Sequence, residues 1–412
     1  MKFLHFIYRT FTSASIPVLC LLAILGNKKL RALFAIRTPD HLPPPPPPST
    51  KYAWFHCASL GEYEQAHPVI EAYIASNPTT PILLTFFSPS GLLPLKSSPP
   101  SWLRPQDFIT SLPLDTPRKV RTFLSSLEYR VKFFASCKYE VWPELLYTLS
   151  SVPTPIPTYV FAAHIPASSP LTRHTLVGSY LRWSWSNLTG ILTQSSSTTN
   201  ILAQYKIDSI PMGDPRVDRV ISLATSLTPP APILSWARGA HITVAGSSWY
   251  SEEIALATLP WSATKKLIVA PHDISLDHIS EILTRFNSTS STLSASTLSN
   301  FNPSAPILII DSMGILTSIY PLADLAIVGG GFKDGIHNIL EPAVHGIPVI
   351  TGPNIGRFRE ALKLQEEGVL TVVNESNQLA SIVWKAIDSE PVKSTWLTSQ
   401  KGCAIKIVSY LP

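Results

Sequence analysis

The segment Lys51-Tyr52-Ala53-Trp54-Phe55-His56-Cys57-Ala58-Ser59-Leu60-Gly61-Glu62 decides the fold. Its first half is an apolar and aromatic run without polar alternation, too short for a buried helix, which suits a strand covered on both faces. Small residues follow, and a helical pattern opens at Glu62. The same strand-then-helix unit recurs along the chain. Residues 81–87, 131–136, 158–163 and 190–193 read as buried strands, and helical patterns start at Thr116, Glu140, Leu171 and Thr198. After Met212 the alternation restarts, with strands at 242–245, 266–270, 306–310, 325–328 and 348–350. Such alternation implies parallel sheets with helices on both faces. The expected fold class is α/β: two Rossmann-like, doubly wound domains, residues 51–211 and 212–412, whose strand C-terminal ends face a shared cleft. Residues 287–304, rich in Ser, Thr and Asn, read as a flexible surface insertion.

Of the 412 residues 45% are apolar and only 14% charged, which excludes a solvated, disordered chain. The formal charge of +5 comes from a small, dispersed excess of Lys and Arg, so no nucleic-acid partner is expected. Cys20, Cys57, Cys137 and Cys403 are scattered without CxxC spacing, which indicates neither a disulfide framework nor a zinc site. The N-terminus is different in kind. Residues 3–25 are mostly apolar, unbroken from 16 to 25, and Lys28, Lys29, Arg31 and Arg37 follow. No small-x-small cleavage site follows Leu25, which disfavours a signal peptide. A spanning helix needs about 20 apolar residues and reaches that length only by tolerating His5, Arg9 and Pro17, whereas an interfacial helix needs fewer. Residues 1–27 are expected to be a membrane anchor of one of these two kinds. A basic, Pro-rich spacer over 28–50 then leads to a body on the cytoplasmic side.

Chemistry concentrates at the strand ends. Gly61 is expected to turn the chain tightly after the first strand, with Glu62 in the first turn of the following helix. A carboxylate there suits a general base acting on a sugar hydroxyl, but Glu is also common in first turns because the helix dipole favours it. Lys138-Tyr139-Glu140-Val141-Trp142 is a second such edge, with Glu140 and Trp142 in one turn; it suits sugar recognition or a plain helix start. Arg216, in Gly213-Asp214-Pro215-Arg216, is either a cation for a donor's anionic group or the partner of Asp214. In the second half, Gly246-Ser247-Ser248, Ala270-Pro271-His272, Asp311-Ser312-Met313-Gly314 and Gly329-Gly330-Gly331 each follow a strand. Glycines let backbone N–H groups approach a phosphate, and a helix after Gly335 would point its N-terminus there. Glu341, one turn into that helix, is placed to accept ribose hydroxyls. The chain lacks GxGxxG, GxxxxGK[ST] and GxSxG patterns. No metal and no cofactor is called for.

Two doubly wound domains are the layout of GT-B glycosyltransferases, shared by other two-domain binders. The residues narrow the choice. Trp54 to Glu62, Glu140-Val141-Trp142-Pro143, Gly213 to Asp218, Met313-Gly314 with Tyr320 and Ala323-Asp324, and Gly335-x-His337-Asn338-x-Leu340-Glu341-Pro342 stand in an order that resembles the 3-deoxy-D-manno-octulosonic acid (Kdo) transferases over nearly the whole chain. The resemblance implies a GT-B enzyme at the cytoplasmic face of the inner membrane. It would move Kdo from CMP-Kdo to a lipid A precursor in lipopolysaccharide synthesis, without a metal. It assigns the general base to Glu62, and CMP contacts to Pro271 and His272, to Met313, Gly314 and Ile315, and to Asn338, Ile339, Leu340 and Glu341. Glu140, Lys138 and Arg216 are candidates to stabilise the sugar carboxylate or the phosphate. The chain departs from the family pattern at His272, where Arg is frequent, and at Lys138 and Ile315, where acidic residues are usual. Two rival readings remain: a GT-B transferase with another nucleotide-sugar, and a non-catalytic descendant that binds lipid or nucleotide.

Overall fold

The computed structural model describes residues 1–38, 41–288 and 294–412. They form two compact units, one of Met1–Arg219 with Gly402–Pro412 and one of Val220–Lys401. Each is built around a seven-stranded parallel sheet.

In the first unit the strands are β1 (Tyr52–Cys57), β2 (Ile82–Phe86), β3 (Phe108–Ser111), β4 (Val131–Cys137), β5 (Thr158–Ala163), β6 (Gly190–Thr193) and β7 (Ile210–Pro211). They lie in the order β3-β2-β1-β4-β5-β6-β7. β1 sits at the centre, with Phe55 between Leu84 of β2 and Ala135 of β4. Its apolar run serves both layers. Ala53, Phe55 and Cys57 join one core cluster and Tyr52 and Trp54 the other, so every residue of the strand is buried. The short edge strands β3 and β7 carried too little apolar sequence to be read in advance.

The second unit holds β8 (His241–Ser248), β9 (Lys265–Pro271), β10 (Ala295–Thr297), β11 (Ile307–Ile309), β12 (Leu325–Val328), β13 (Val349–Thr351) and β14 (Leu370–Val372), ordered β10-β11-β9-β8-β12-β13-β14. The stretch expected to be a flexible insertion is in part regular: β10 pairs with β11 as the edge strand, and the preceding helix runs to Ser288. Residues 289–293 lie outside the described residues. Three residues of pairing suffice for an edge strand, and Ala295 and Thr297 on one edge give no periodicity to detect. The second domain, expected to run to residue 412, does not keep its tail. The helix Cys403–Val408 packs in the first unit against α3 (Leu60–Ser76), and Tyr73 O–H donates to the Pro412 carbonyl at 2.8 Å. Asp218 accepts the N–H of Gly402 and of Ala404 at 2.7 Å each, which fixes the start of that tail.

The N-terminus forms one helix, α1 (Lys2–Ile24), continuous through Pro17 and long and apolar enough to cross a membrane. It is two-faced. Phe3, Ile7, Phe11, Val18, Leu22 and Leu25 are exposed at helical spacing, whereas His5 and Ala23 are buried. Tyr8 O–H donates to Asp115 Oδ2 at 2.6 Å, the Arg9 guanidinium lies 2.9 Å from Glu144, and His5 lies 2.8 Å from the Tyr180 hydroxyl. Asp115 in turn accepts the N–H groups of Glu144 and Leu145 at the start of the helix Pro143–Ser151. His5 and Arg9, tolerated as blemishes in an apolar run, are the groups that dock it. The expected spacer over 28–50 is also structured: α2 (Lys28–Ala35) is capped by Asn27, the Ile36 carbonyl accepts from Ser111 Oγ at 2.6 Å, and Arg130 donates to the Pro47 carbonyl at 2.9 Å.

Candidate functional site

In the first unit the candidate residues gather at the C-terminal ends of β1 and β4. Ser59 precedes α3 and its hydroxyl donates to Glu62, which is buried in the first turn. Gly61 lies inside this helix rather than in a tight turn. A Cβ there would meet nothing nearer than Ser59 Oγ at 3.9 Å, so the turn does not require glycine. After β4 the chain reverses through Lys138, which adopts the left-handed φ of +67° and donates its N–H to the Phe161 carbonyl at 2.9 Å.

Glu140 was expected inside a helix with Trp142. It lies instead in the turn before it, because Pro143 supplies the helix's first position. Ser136 Oγ holds the Glu140 carbonyl at 2.6 Å. Burial first, and then the charge of Glu62, push the Glu140 carboxyl up to about 7. The two carboxylates therefore share one field. Trp142 is fixed from below: its indole N–H donates to His56 Nε2 at 3.2 Å, and His56 Nδ1 lies 3.0 Å from the Thr85 carbonyl. Burial lowers His56 to about 3 and keeps the ring neutral, so Nδ1 carries the proton and Nε2 accepts. Phe87 lies 4.7 Å from the Trp142 ring.

Arg216 is paired. Its guanidinium donates to both oxygens of Asp214, at 2.6 Å for the shortest contact. Gln65 and Gln194 also donate to Asp214, at 3.3 and 2.5 Å. Burial works to raise the Asp214 carboxyl, but the Arg216 charge and these hydrogen bonds outweigh it and hold the group below its usual range. Lys138 extends over the Tyr139 ring at 6.0 Å.

In the second unit the four strand ends form two contiguous groups. One joins the segment after β11 to that after β12. Glu341 accepts from Thr317 Oγ1 and from Asn338 Nδ2, both at 2.8 Å, and Asn338 Oδ1 accepts the Leu340 N–H at 3.1 Å. Gly314 has φ +89° and Met313 is exposed beside it, with Ile315 at the start of the helix Leu316–Ile319. Ile339 and Leu340 are core residues at 1% exposure, so only their main chain can meet a ligand. The expected helix after Gly335 is one turn, Leu340–Ala343, and residues 335–339 are irregular. Too short for a dipole argument, that turn serves to place Glu341. The second group is an aromatic stack. His272, directly after Pro271 at the end of β9, lies 4.4 Å from the Trp249 ring and 4.6 Å from His337. Trp249 Nε1 donates to His337 Nε2 at 3.2 Å, and Lys333 Nζ sits 3.7 Å over the indole. Burial and then His272 lower His337, which keeps it a neutral acceptor. Trp249, Lys333 and Thr317 escaped the sequence reading. Their one signal was position, one to three residues past the segments that follow the strands. Between the groups the backbone is close-packed: a Cβ on Gly329 would fall 2.1 Å from the Ser247 carbonyl.

Residues 29–219 match the family described as 3-Deoxy-D-manno-octulosonic-acid transferase (kdotransferase). The chain is similar to the 3-deoxy-D-manno-octulosonic acid transferase of Haemophilus influenzae, 26% identical over 359 residues, covering 82% of this chain and 79% of that one. It is 27% identical to the enzyme of the same name from Aquifex aeolicus over 366 residues, 86% of this chain and 90% of the relative. In fold it is similar to the UDP-GlcNAc 2-epimerase of Methanocaldococcus jannaschii, with a TM-score of 0.55 at 13% identity over 87% of this chain and 99% of that one. With a family match across residues 29–219 and relatives that run through both units, the chain has a GT-B-type fold and is similar to the Kdo transferases over most of its length.

Proposed function

We propose that the chain transfers Kdo from CMP-Kdo to a sugar hydroxyl of a lipid A precursor. Glu62 takes the hydroxyl proton as the anomeric carbon of Kdo is attacked and CMP departs. The nucleotide already carries a good leaving group, so the protein's work is orientation and proton transfer. The observation that carries this reading is the carboxylate pair at the ends of β1 and β4, with Glu62 held by Ser59 and Glu140 raised beside it. Glu341 is then the ribose partner, already oriented by Thr317 and Asn338, and Lys333 is the cation available to the phosphate, with the His272 ring beside it.

The protein works at the cytoplasmic face of an inner membrane, with α1 lying in the interface. His5, Tyr8 and Arg9 at its start are tied to the first unit, and so are Ile36 and Arg37 after it. Both ends of the helix thus stay with one body, which favours an in-plane helix over a spanning one. Replacing Phe11 and Leu22 by Glu on the exposed face should move the protein to the soluble fraction without loss of fold. The test of function is to incubate the purified full chain with a CMP-Kdo generating system and a lipid A precursor and to weigh the products. Addition of whole Kdo residues with release of CMP is expected. A folded, CMP-binding protein that adds none, or that transfers from a UDP-hexose instead, overturns the reading.

A further inference from the structure

α1, α2 and the end of β3 border an open-mouthed cavity of about 330 Å³ whose wall is mainly apolar. Ile16 and Cys20 of α1, Phe34 of α2, and Leu114 and Phe123 of the body line it. Pockets that take small ligands begin at about 300 Å³. Among the described residues that line it, the charge is of one sign. Arg37 and Lys119 line it, and no carboxylate does among the described residues.

Two connections give it direction. On one side is α1, whose opposite face exposes Val18, Leu21 and Leu22. On the other is the carboxylate site, reached through Arg37. That guanidinium donates to the Phe87 carbonyl at 2.6 Å and to the Leu112 carbonyl at 2.9 Å, and it lies 4.8 Å over the Phe87 ring. Phe87 packs on Trp142, two residues beyond Glu140.

We propose that this cavity takes one acyl chain of an anionic lipid, the acceptor of the transfer reaction proposed above. The inference rests on that reading for the identity of the lipid. The chain lies between α1 and the body, its apolar length against Ile16, Phe34 and Phe123, while Lys119 and Arg37 meet negative charge on the headgroup. Holding one chain in this way sets the headgroup at the end of β1 and β4 rather than leaving it free in the bilayer plane.

Cys20 reports occupancy, since it is partly exposed while Cys57, Cys137 and Cys403 are buried. Full-length protein in phosphatidylcholine nanodiscs is alkylated with iodoacetamide in the presence of dodecyl phosphate, dodecyl maltoside or inorganic phosphate. Dodecyl phosphate should slow modification of Cys20 at least five-fold and the other two should have little effect. Lys119→Ala should weaken that protection. Thr122→Trp, which fills the cavity from its wall, should abolish it and raise KM for an acylated acceptor about ten-fold, with kcat and CMP affinity unchanged. An unprotected Cys20, or protection that persists in Thr122→Trp, overturns the assignment. Protection by dodecyl maltoside equal to that by dodecyl phosphate overturns the role of Lys119 and Arg37. If Cys20 is protected but no Kdo is transferred, the transferase reading fails and the lipid site stands. If Kdo is transferred while Thr122→Trp changes neither readout, the lipid site fails and the transferase reading stands.

Discussion

The two units present the same edge of the same kind of sheet and equip it in opposite ways. At the ends of β1 and β4 the first unit places side-chain charge: Glu62 and Glu140 share a half-enclosed site, and Glu140 is pushed up to about 7 by burial and by its neighbour. At the ends of β8, β9, β11 and β12 the second unit offers close-packed glycine backbone, a stack of Trp249, His272 and His337, and one carboxylate already engaged by two hydrogen bonds. An edge that must move a proton needs an ionisable group whose charge is costly where it sits. An edge that must hold a nucleotide needs preset donors, acceptors and flat surfaces, and it gains nothing from strained charge.

The comparison can be broken most severely at Glu62. Glu62→Gln keeps the size of the side chain and an acceptor for the Ser59 hydroxyl but cannot take a proton. Transfer should fall by about 10²–10⁴ with little change in melting temperature. At the other edge, Glu341→Ala removes an acceptor already oriented for a ribose. CMP affinity measured by calorimetry should drop by roughly 1.5–3 kcal/mol. Unchanged affinity in the folded variant would exclude that role.

The glycines sharpen the contrast. Gly329→Ala drives a Cβ into the Ser247 carbonyl and should destabilise the second unit by about 1–3 kcal/mol, or prevent it from folding. Gly61→Ala brings its Cβ no nearer than 3.9 Å to any neighbour and sits in a helix, so it should leave stability unchanged or raise it by up to about 1 kcal/mol. Loss of transfer in that stable variant would mark Gly61 as a place where the acceptor comes close.

Glu140 gives a pH test of smaller size. Its carboxyl is raised from 4.5 to about 7, so the folded chain keeps a proton that the unfolded chain releases between those values. The stability that this proton contributes is full below pH 4.5 and is lost as pH rises toward 7. Glu140→Gln keeps the neutral form at every pH. Its stability relative to the parent should therefore rise between pH 4.5 and 7 and level off above. A flat difference would mean that the Glu140 carboxyl is not raised in the folded chain.

The central strands were legible because burial on both faces leaves uninterrupted apolar runs, as in Tyr52–Cys57 and Leu325–Val328. The edge strands β3, β7, β10 and β14 were not, since two to four residues with one open edge carry no such run. At the candidate site the residue types were readable and the backbone was not. Glu62 and Glu341 stood out as carboxylates after strands, but nothing in Glu140-Val141-Trp142-Pro143 said that the proline would start the helix and leave the carboxylate in the turn. The paired state of Arg216 and the docking of α1 by Tyr8 and Arg9 depend on contacts between distant segments, which spacing along the chain does not encode.

The division of labour between the two edges is tested most directly by a crossed measurement of Glu62→Gln and Glu341→Ala: CMP affinity by calorimetry, and single-turnover Kdo transfer at saturating donor, on the same preparations. Glu62→Gln should bind CMP as the parent does and transfer at least about 10²-fold more slowly, whereas Glu341→Ala should bind CMP weakly and recover most of its transfer rate once donor saturates. Transfer by Glu62→Gln within a few-fold of the parent would contradict the assignment of the base to the first unit.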